Sequence, residues 1–241
     1  MENKKSITVC VPLYNEEDVV EQLSNKLKKL DKNLDGIVNS KFLLVDDGSV
    51  DNTYQELNEH FSNINNFQIL QHKNNLNLDG FLKTVISNSS SDYITFLDSD
   101  STFDPELIIP MLEISMSGVD VVNASHLHPK GGTVGVTFFR KGISIVANSI
   151  YRKLLSVDVY TFTSILKIYK LEKIKTIEIE SKGFVAVTEL LVKSLLNNYS
   201  YVDFPCILTT REEGSSKIKF SKTIIAHLKF MIYVIKKKIL I

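Results

Sequence analysis

Residues 93–106 read YITFLDSDSTFDPE. A strand-like run over 93–97 leads straight into Asp98-Ser99-Asp100, and Pro105 stands where a helix would begin. The pattern repeats upstream. Residues 7–11 form a β-rich run closed by Pro12, and Glu16-Glu17 follow it. Over 16–31, Val20, Leu23, Leu27 and Leu30 recur at helical spacing. Residues 42–45 are a second apolar strand, running into Asp46-Asp47 and the turn-rich DDGSVDNT. There Asp51 is placed to cap a helix bearing Tyr54, Leu57 and Phe61. A third strand at 67–70 precedes a short helix at 80–88, and downstream a helix at 107–116 precedes a strand at 119–122. Strands separated by helical patterns of this length predict βαβ units and a mainly parallel sheet flanked by helices. In such sheets ligands bind at the carboxyl ends of the strands, which is where these three acidic clusters fall.

The chain has 241 residues, 44% hydrophobic and 23% charged, which is enough apolar material to bury a core. Lys+Arg and Asp+Glu both number 28, and the absence of a basic excess argues against nucleic acid as a partner. Two distant cysteines, Cys10 and Cys206, exclude a disulfide scaffold and a cysteine-based zinc site, and suit a reducing compartment. The start MENKKSITVCVP carries no apolar run of signal length, and no stretch of 18 apolar residues occurs. The expected location is therefore cytoplasmic. Neither GxGxxG after the first strand nor GxxxxGK[ST] is present, so dinucleotide and P-loop chemistry are disfavoured.

Two carboxylates alternating along a strand would face one ligand, and hard oxygen donors suit Mg²⁺ or Mn²⁺ completed by substrate phosphates. The context narrows that chemistry. VPLYNEE at 11–17, VDDGSVDNT at 45–53 and LDSDSTFDPE at 97–106 resemble the nucleotide-sugar half of family 2 glycosyltransferases with the GT-A fold. Residues 124–148, GFVAVTELL at 183–191 and REEGSSK at 211–217 resemble dolichol-phosphate mannose synthases and related polyprenyl-phosphate glycosyltransferases. The resemblance implies a Rossmann-like sheet and roles residue by residue. Pro12, Tyr14 and Glu16 would line the nucleobase pocket, with Val45 and Asp47 beside it. Asp98, Ser99 and Asp100 would meet ribose, diphosphate and metal. Arg140, Arg211 and Lys217 would clamp phosphates, and Asp100, Arg140 and Arg211 would be the catalytic set. The residue types suit these tasks: an aromatic ring stacks on a base, and Arg grips phosphate bidentately. Of three arginines, Arg140, Arg152 and Arg211, two fall in the matched segments of a chain that otherwise uses Lys.

The sequence also departs from the family pattern. Thr102 stands where a Gln usually completes the metal side, so its hydroxyl is the expected third metal-side group. Gly80 alone remains of a Gly-rich stretch, and His126 replaces an Arg. His126 and His128 have no further His or Cys at a matching spacing, so they are not read as a metal site. Thr188-Glu189-Leu190 lacks the Asp of the Glu-Asp pair that often supplies a base for hydroxyl acceptors. A lipid phosphate is already an anion and needs only positioning and charge neutralisation, for which Arg140, Ser144 and Arg211 are candidates.

These observations predict an inverting transfer of a sugar, such as mannose or glucose, from a nucleoside diphosphate to polyprenyl or dolichyl phosphate. Two alternatives stay open: transfer to a hydroxyl of a glycan or lipid, with Glu189 or an unrecognised group as a base, and a degenerate nucleotide-binding regulator. The predicted organisation is a glycosyltransferase domain over 1–217 and a basic amphipathic helix over 218–241. In that helix Ile224, Leu228, Met231, Ile235 and Ile239 form one face, and Lys222, Lys229 and Lys236 recur every seven residues. Such a helix suits the cytosolic face of an anionic membrane, the domain itself, or a membrane subunit.

Overall fold

The computed structural model describes residues 4–100, 102–210 and 220–239. Strand β1 (Ser6–Leu13) is followed by a 3₁₀ turn and helix α1 (Val20–Leu34). Next come β2 (Asn39–Asp46), α2 (Thr53–Phe61), β3 (Phe67–Gln71), α3 (Asn77–Asn88) and β4 (Tyr93–Phe96). A second 3₁₀ turn from Pro105 leads into α4 (Ile108–Met116) and β5 (Val121–Ser125). The second half holds β6 (Gly132–Val134), α5 (Phe138–Leu155), β7 (Lys167–Lys170), α6 (Leu171–Ile174) and α7 (Phe184–Leu196). It closes with β8 (Tyr201–Pro205), β9 (Ile207–Thr209) and α8 (Phe220–Ile239).

Seven strands form one sheet in the order β3-β2-β1-β4-β7-β5-β8. All neighbours pair in parallel except β7, which runs antiparallel to both β4 and β5. The sheet is thus mixed and mainly parallel, as expected. β6 and β9 pair separately as a short parallel ribbon.

The period-two rule divides the core. On β1, Val9 and Val11 face the layer holding Leu23, Leu27 and Leu30 of α1, while Cys10 faces the layer of Phe81, Leu82 and Val85 of α3. All of these side chains are fully buried. Each large aliphatic contributes roughly 1.5–3 kcal/mol by leaving water. On α2, Leu57 and Phe61 are buried as the spacing predicts, but Tyr54 is 39% exposed. Thr53 fills the inner position of that first turn, with its hydroxyl bonded to Asp51 and to the Glu16 N–H.

The strand order reverses at β1, with β2 on one side and β4 on the other. In open α/β sheets such a switch point opens a crevice beyond the strand carboxyl ends. Pro12, Asp47 and Asp98 all lie at that edge.

Candidate active site

A cleft of about 780 Å³ lies over the switch point. It is lined by Pro12, Tyr14, Glu16, Asp47, Asp98, Ser99, Asp100, Thr102 and Ser144, nine of the residues singled out in the sequence. The size matches that of clefts that enclose a drug-sized ligand.

The first two loops are tied to each other. Asn15 takes a left-handed conformation (φ 51°), its N–H donates to the Ser49 hydroxyl, and its side-chain oxygen accepts from the Val50 N–H. Glu17 accepts from the Asn52 N–H. Asp51 accepts from the Thr53 side chain, the Thr53 N–H and the Glu17 N–H. Burial pushes the Asp51 carboxyl up, but these donors outweigh it and hold it below the ordinary range. Asp46 is fully buried and accepts from the Ser49 N–H and the Gln71 amide. Of the acids in these loops, Glu17, Asp46 and Asp51 therefore hold the loops, while Glu16 and Asp47 face the cleft.

Val45 belongs elsewhere. It is fully buried and packs with Leu43, Phe81 and Leu82, away from the cleft lining. Its place follows from alternation: Val45 shares a face with Leu43, toward α3, and only after the strand ends does Asp47 emerge into the crevice.

Asp98 and Asp100 meet in a way that differs from strand alternation. β4 ends at Phe96, and both carboxylates lie in the turn beyond it. Thr102 gathers them: its hydroxyl donates to Asp98 Oδ2 at 3.1 Å and its N–H to Asp100 Oδ1 at 3.2 Å. The Thr102 carbonyl accepts from the N–H and hydroxyl of Thr209, which docks β9 onto the acidic turn. The β6–β9 ribbon thus supplies Thr133, Leu208 and Thr209 to the cleft. Asp98 and Asp100 on one cleft fit a hard divalent cation that takes its remaining oxygen ligands from a diphosphate. Among the described residues no cluster of three or more His, Cys, Asp or Glu forms a closed metal cage.

On the far side, Ser144 of α5 lines the cleft, and its carbonyl and hydroxyl accept from the Asn148 amide at 2.7 and 3.2 Å. Asn148 in turn accepts from the Phe162 N–H, pinning α5 to the segment before β7. Arg140 lies in α5, one residue before Lys141, which lines the cleft. The side chain of Arg140, and Arg211 and Lys217 entirely, lie outside the described residues.

The Glu189 carboxylate is fully buried and accepts from the Glu180 and Ser181 N–H groups. It also pairs with Lys193 at 2.7 Å. It anchors the loop feeding α7 and is absent from the cleft lining.

Sequence reasoning assigned no role to two buried basic side chains, His126 in the cleft and Lys167 on β7. His126 is tilted against Phe103; its Nδ1 is buried without a hydrogen-bond partner among the described residues. Burial, reinforced by Lys141 and Lys167, pushes His126 down to about 4, so the ring is neutral near pH 7. Lys167 on β7 is fully buried and donates to the Ser164 carbonyl. Burial pushes its ammonium from 10.5 to about 7 despite the pull of Asp203 and Asp98. A lone Lys in a strand carries no sequence signal of this kind, because burial on both sheet faces appears only once β7 is inserted between β4 and β5.

A mixed sheet with this switch point and these strand-end carboxylates defines a GT-A-like α/β protein. The glucosyl-3-phosphoglycerate synthase of Mycobacterium tuberculosis, solved with Mn²⁺, UDP and glucosyl-3-phosphoglycerate, superposes with a TM-score of 0.68 at 19% identity. That match covers 94% of this chain and 80% of that one. The mannosyl-3-phosphoglycerate synthase of Rubrobacter xylanophilus superposes with a TM-score of 0.74 at 14% identity, over 97% of this chain and 75% of that one. At such identities the likeness concerns the fold alone. The family model described as glycosyl transferase family 2 matches residues 8–177, and the chain belongs to that family. It is 28% identical over 233 residues to a dolichol-phosphate mannosyltransferase of Pyrococcus furiosus, covering 95% of this chain and 64% of that one. It is 30% identical over 128 residues to a polyprenol monophosphomannose synthase of Mycolicibacterium smegmatis, covering 52% of this chain and 48% of that one. The chain thus spans less than two thirds of the length of these curated relatives.

Proposed function

We propose that the protein is an inverting glycosyltransferase that moves a sugar from a nucleoside diphosphate to a polyprenyl or dolichyl phosphate. The observation that carries this reading is the division of acids. Asp47, Asp98 and Asp100 converge on one cleft, whereas Glu189, the candidate base for a hydroxyl acceptor, is consumed by two backbone N–H groups and Lys193. The names of the relatives from Pyrococcus furiosus and Mycolicibacterium smegmatis support the same acceptor class.

In this reading Tyr14, Pro12 and Glu16 flank the base, with Asp47 accepting from its N–H edge. Asp98, Ser99 and Asp100 face the ribose and diphosphate. Mg²⁺ or Mn²⁺ held by Asp98 and Asp100 would neutralise the leaving diphosphate. Thr102 serves by holding both carboxylates in place. Ser144, Arg140, Arg211 and Lys217 receive the acceptor phosphate and the donor diphosphate. A phosphate oxygen attacks the anomeric carbon from the face opposite the departing diphosphate, so the configuration inverts. No proton has to leave the acceptor, and positioning and charge neutralisation suffice.

The acceptor's lipid tail calls for a membrane surface. Among the described residues no helix is long and apolar enough to cross a membrane. Helix α8 instead presents Ile224, Ile225, Leu228, Ile232 and Ile235 outward, each at least 40% exposed, with Lys229, Lys236 and Lys237 also exposed. Phe138, Val146 and Ile150 of α5, which packs against α8, are exposed too. We place this surface on the cytosolic leaflet of an anionic membrane.

The test is a panel of radiolabelled nucleotide sugars incubated with polyprenyl phosphate in vesicles and divalent metal. Label in an organic-phase product that mild acid releases supports the proposal. Label that stays in aqueous polymer, or nucleotide binding without turnover, would overturn it.

A further inference from the structure

Asp47 leaves β2 with its backbone fixed, its N–H donating to the Leu13 carbonyl at 2.8 Å. Both hydrogen bonds to its carboxylate land on one oxygen. Oδ1 accepts from His72 Nδ1 at 2.7 Å and from the Leu76 N–H at 2.8 Å. Among the described residues Oδ2 receives no donor, and Asp47 lines the cleft.

His72 is itself held at three points. Its backbone N–H donates to the Asp46 carbonyl at 2.9 Å, and its ring Nε2 lies 2.8 Å from the Thr84 hydroxyl on α3. The ring is nearly buried, with 10% of the side chain exposed. An ionised carboxylate only accepts, so Nδ1 carries the proton on the Asp47 side. The loop between them is also tight. Gly48 has φ +76°, and a Cβ there would stand 2.6 Å from the Asn74 carbonyl carbon. The loop after β3 therefore closes directly against the loop after β2, and the Asp47–His72 contact joins them.

We propose that His72 is a positioning residue for nucleotide binding: with Leu76 and Thr84 it pins one oxygen of Asp47 and leaves the other as the acceptor facing the bound base. This rests on the reading above that Asp47 meets the nucleobase. An unpinned carboxylate would have to lose rotamer freedom on binding and would enter with either oxygen. His72 has met that requirement before the ligand arrives. The two donors occupy both lone pairs of Oδ1, so the base meets Oδ2 alone.

The experiment measures binding of UDP and of GDP by titration calorimetry, with donor KM, kcat and thermal melting alongside. Wild type, His72→Phe, His72→Asn, His72→Gln, Asp47→Asn and the double variant His72→Phe/Asp47→Asn are compared. Asn can place a donor where Nδ1 was, whereas Gln places one where Nε2 was. His72→Phe should weaken nucleotide binding at least about tenfold, the worth of a hydrogen bond to a charged group, and raise donor KM while kcat stays within about twofold. His72→Asn should recover most of the loss and His72→Gln little of it. In the double variant the His72 change should add almost nothing to the Asp47 loss. Wild-type affinity in His72→Phe, additive losses, or equal behaviour of the Asn and Gln variants would overturn the proposal. Should His72→Phe not fold, the contrast between Asn and Gln decides alone. A wild-type protein that binds neither nucleotide would instead bring down the nucleotide-sugar reading itself, and this inference with it.

Discussion

At the scale of single residues, the acidic turn makes the sharpest demand. Asp98 and Asp100 are gathered by Thr102 at one end of the cleft. Asp100→Ala should lower turnover by at least about 10²-fold, comparable to losing one preorganised electrostatic contact. Chelation with EDTA should abolish activity and added Mn²⁺ or Mg²⁺ restore it; activity that persists in EDTA would contradict the assignment. Arg152 serves as a contrast. It pairs with Asp158 and lies 4.1 Å over the Tyr160 ring at the surface, so Arg152→Lys should leave turnover unchanged, while Arg140→Lys and Arg211→Lys, which keep charge but lose the fork, should be impaired. Lys167 gives a prediction in pH. Its folded value of about 7 lies below the 10.5 of the free side chain. Between these values the unfolded chain binds more protons than the native one, so this group makes stability rise with pH across that window. The burial penalty is present in full below about pH 7. Denaturant unfolding at several pH values should show that rise in the wild type and its loss in Lys167→Met; parallel profiles would refute it.

At the scale of elements, the first half of the chain was legible because its signals are local. β1 to β5 and the helices between them follow from apolar runs, helical spacing and Pro105, with ends shifted by a few residues. The carboxyl ends of those strands located the cleft, and Pro12, Tyr14, Glu16, Asp47, Asp98, Ser99 and Asp100 line it. What stayed hidden is non-local. Nothing in Lys167–Lys170 states that β7 will enter between β4 and β5 in the opposite direction. His72 and Asp47 are 25 residues apart and meet only when two loops close on each other. Val45 was misplaced because a motif match does not say which way a side chain points.

Helix α8 shows the same difference between pattern and packing. The sequence groups Met231 with Ile224, Leu228 and Ile235. In the fold Met231 turns inward with Phe230 and Val234, against Tyr151, and the His227 ring bonds the Tyr151 hydroxyl at 2.9 Å. The helix has two apolar faces, and only one of them is buried. Removing residues 224–241 would therefore strip the core as well as the outer face, and substitution separates the two. Phe230→Ala should cost about 3 kcal/mol of stability, as buried aromatic truncations do. Changing Ile225, Leu228, Ile232 and Ile235 together to Ser should leave melting within a few degrees yet release the protein from anionic vesicles in co-sedimentation. Lys236→Gln with Lys237→Gln should weaken only the salt-sensitive part of that binding. Retained vesicle binding in the fourfold variant would remove α8 from the membrane account.

At the scale of the whole molecule, the proposed function joins the cleft at the sheet's switch point to the exposed apolar face of α8. The central proposal is that the acceptor is a phosphate: among the described residues the cleft acids are Glu16, Asp47, Asp98 and Asp100, all assigned above to the donor side, and Glu189 is not among them. Glu189, the base candidate read from the sequence, holds the loop before α7. The most direct measurement is a paired assay with one donor and two acceptors of equal chain length, a polyprenyl phosphate and the corresponding polyprenol, in the same vesicles. The account predicts transfer to the phosphate, with inverted anomeric configuration, and none above background to the alcohol. Comparable transfer to the alcohol, rising with pH as a general base ionises, would contradict it.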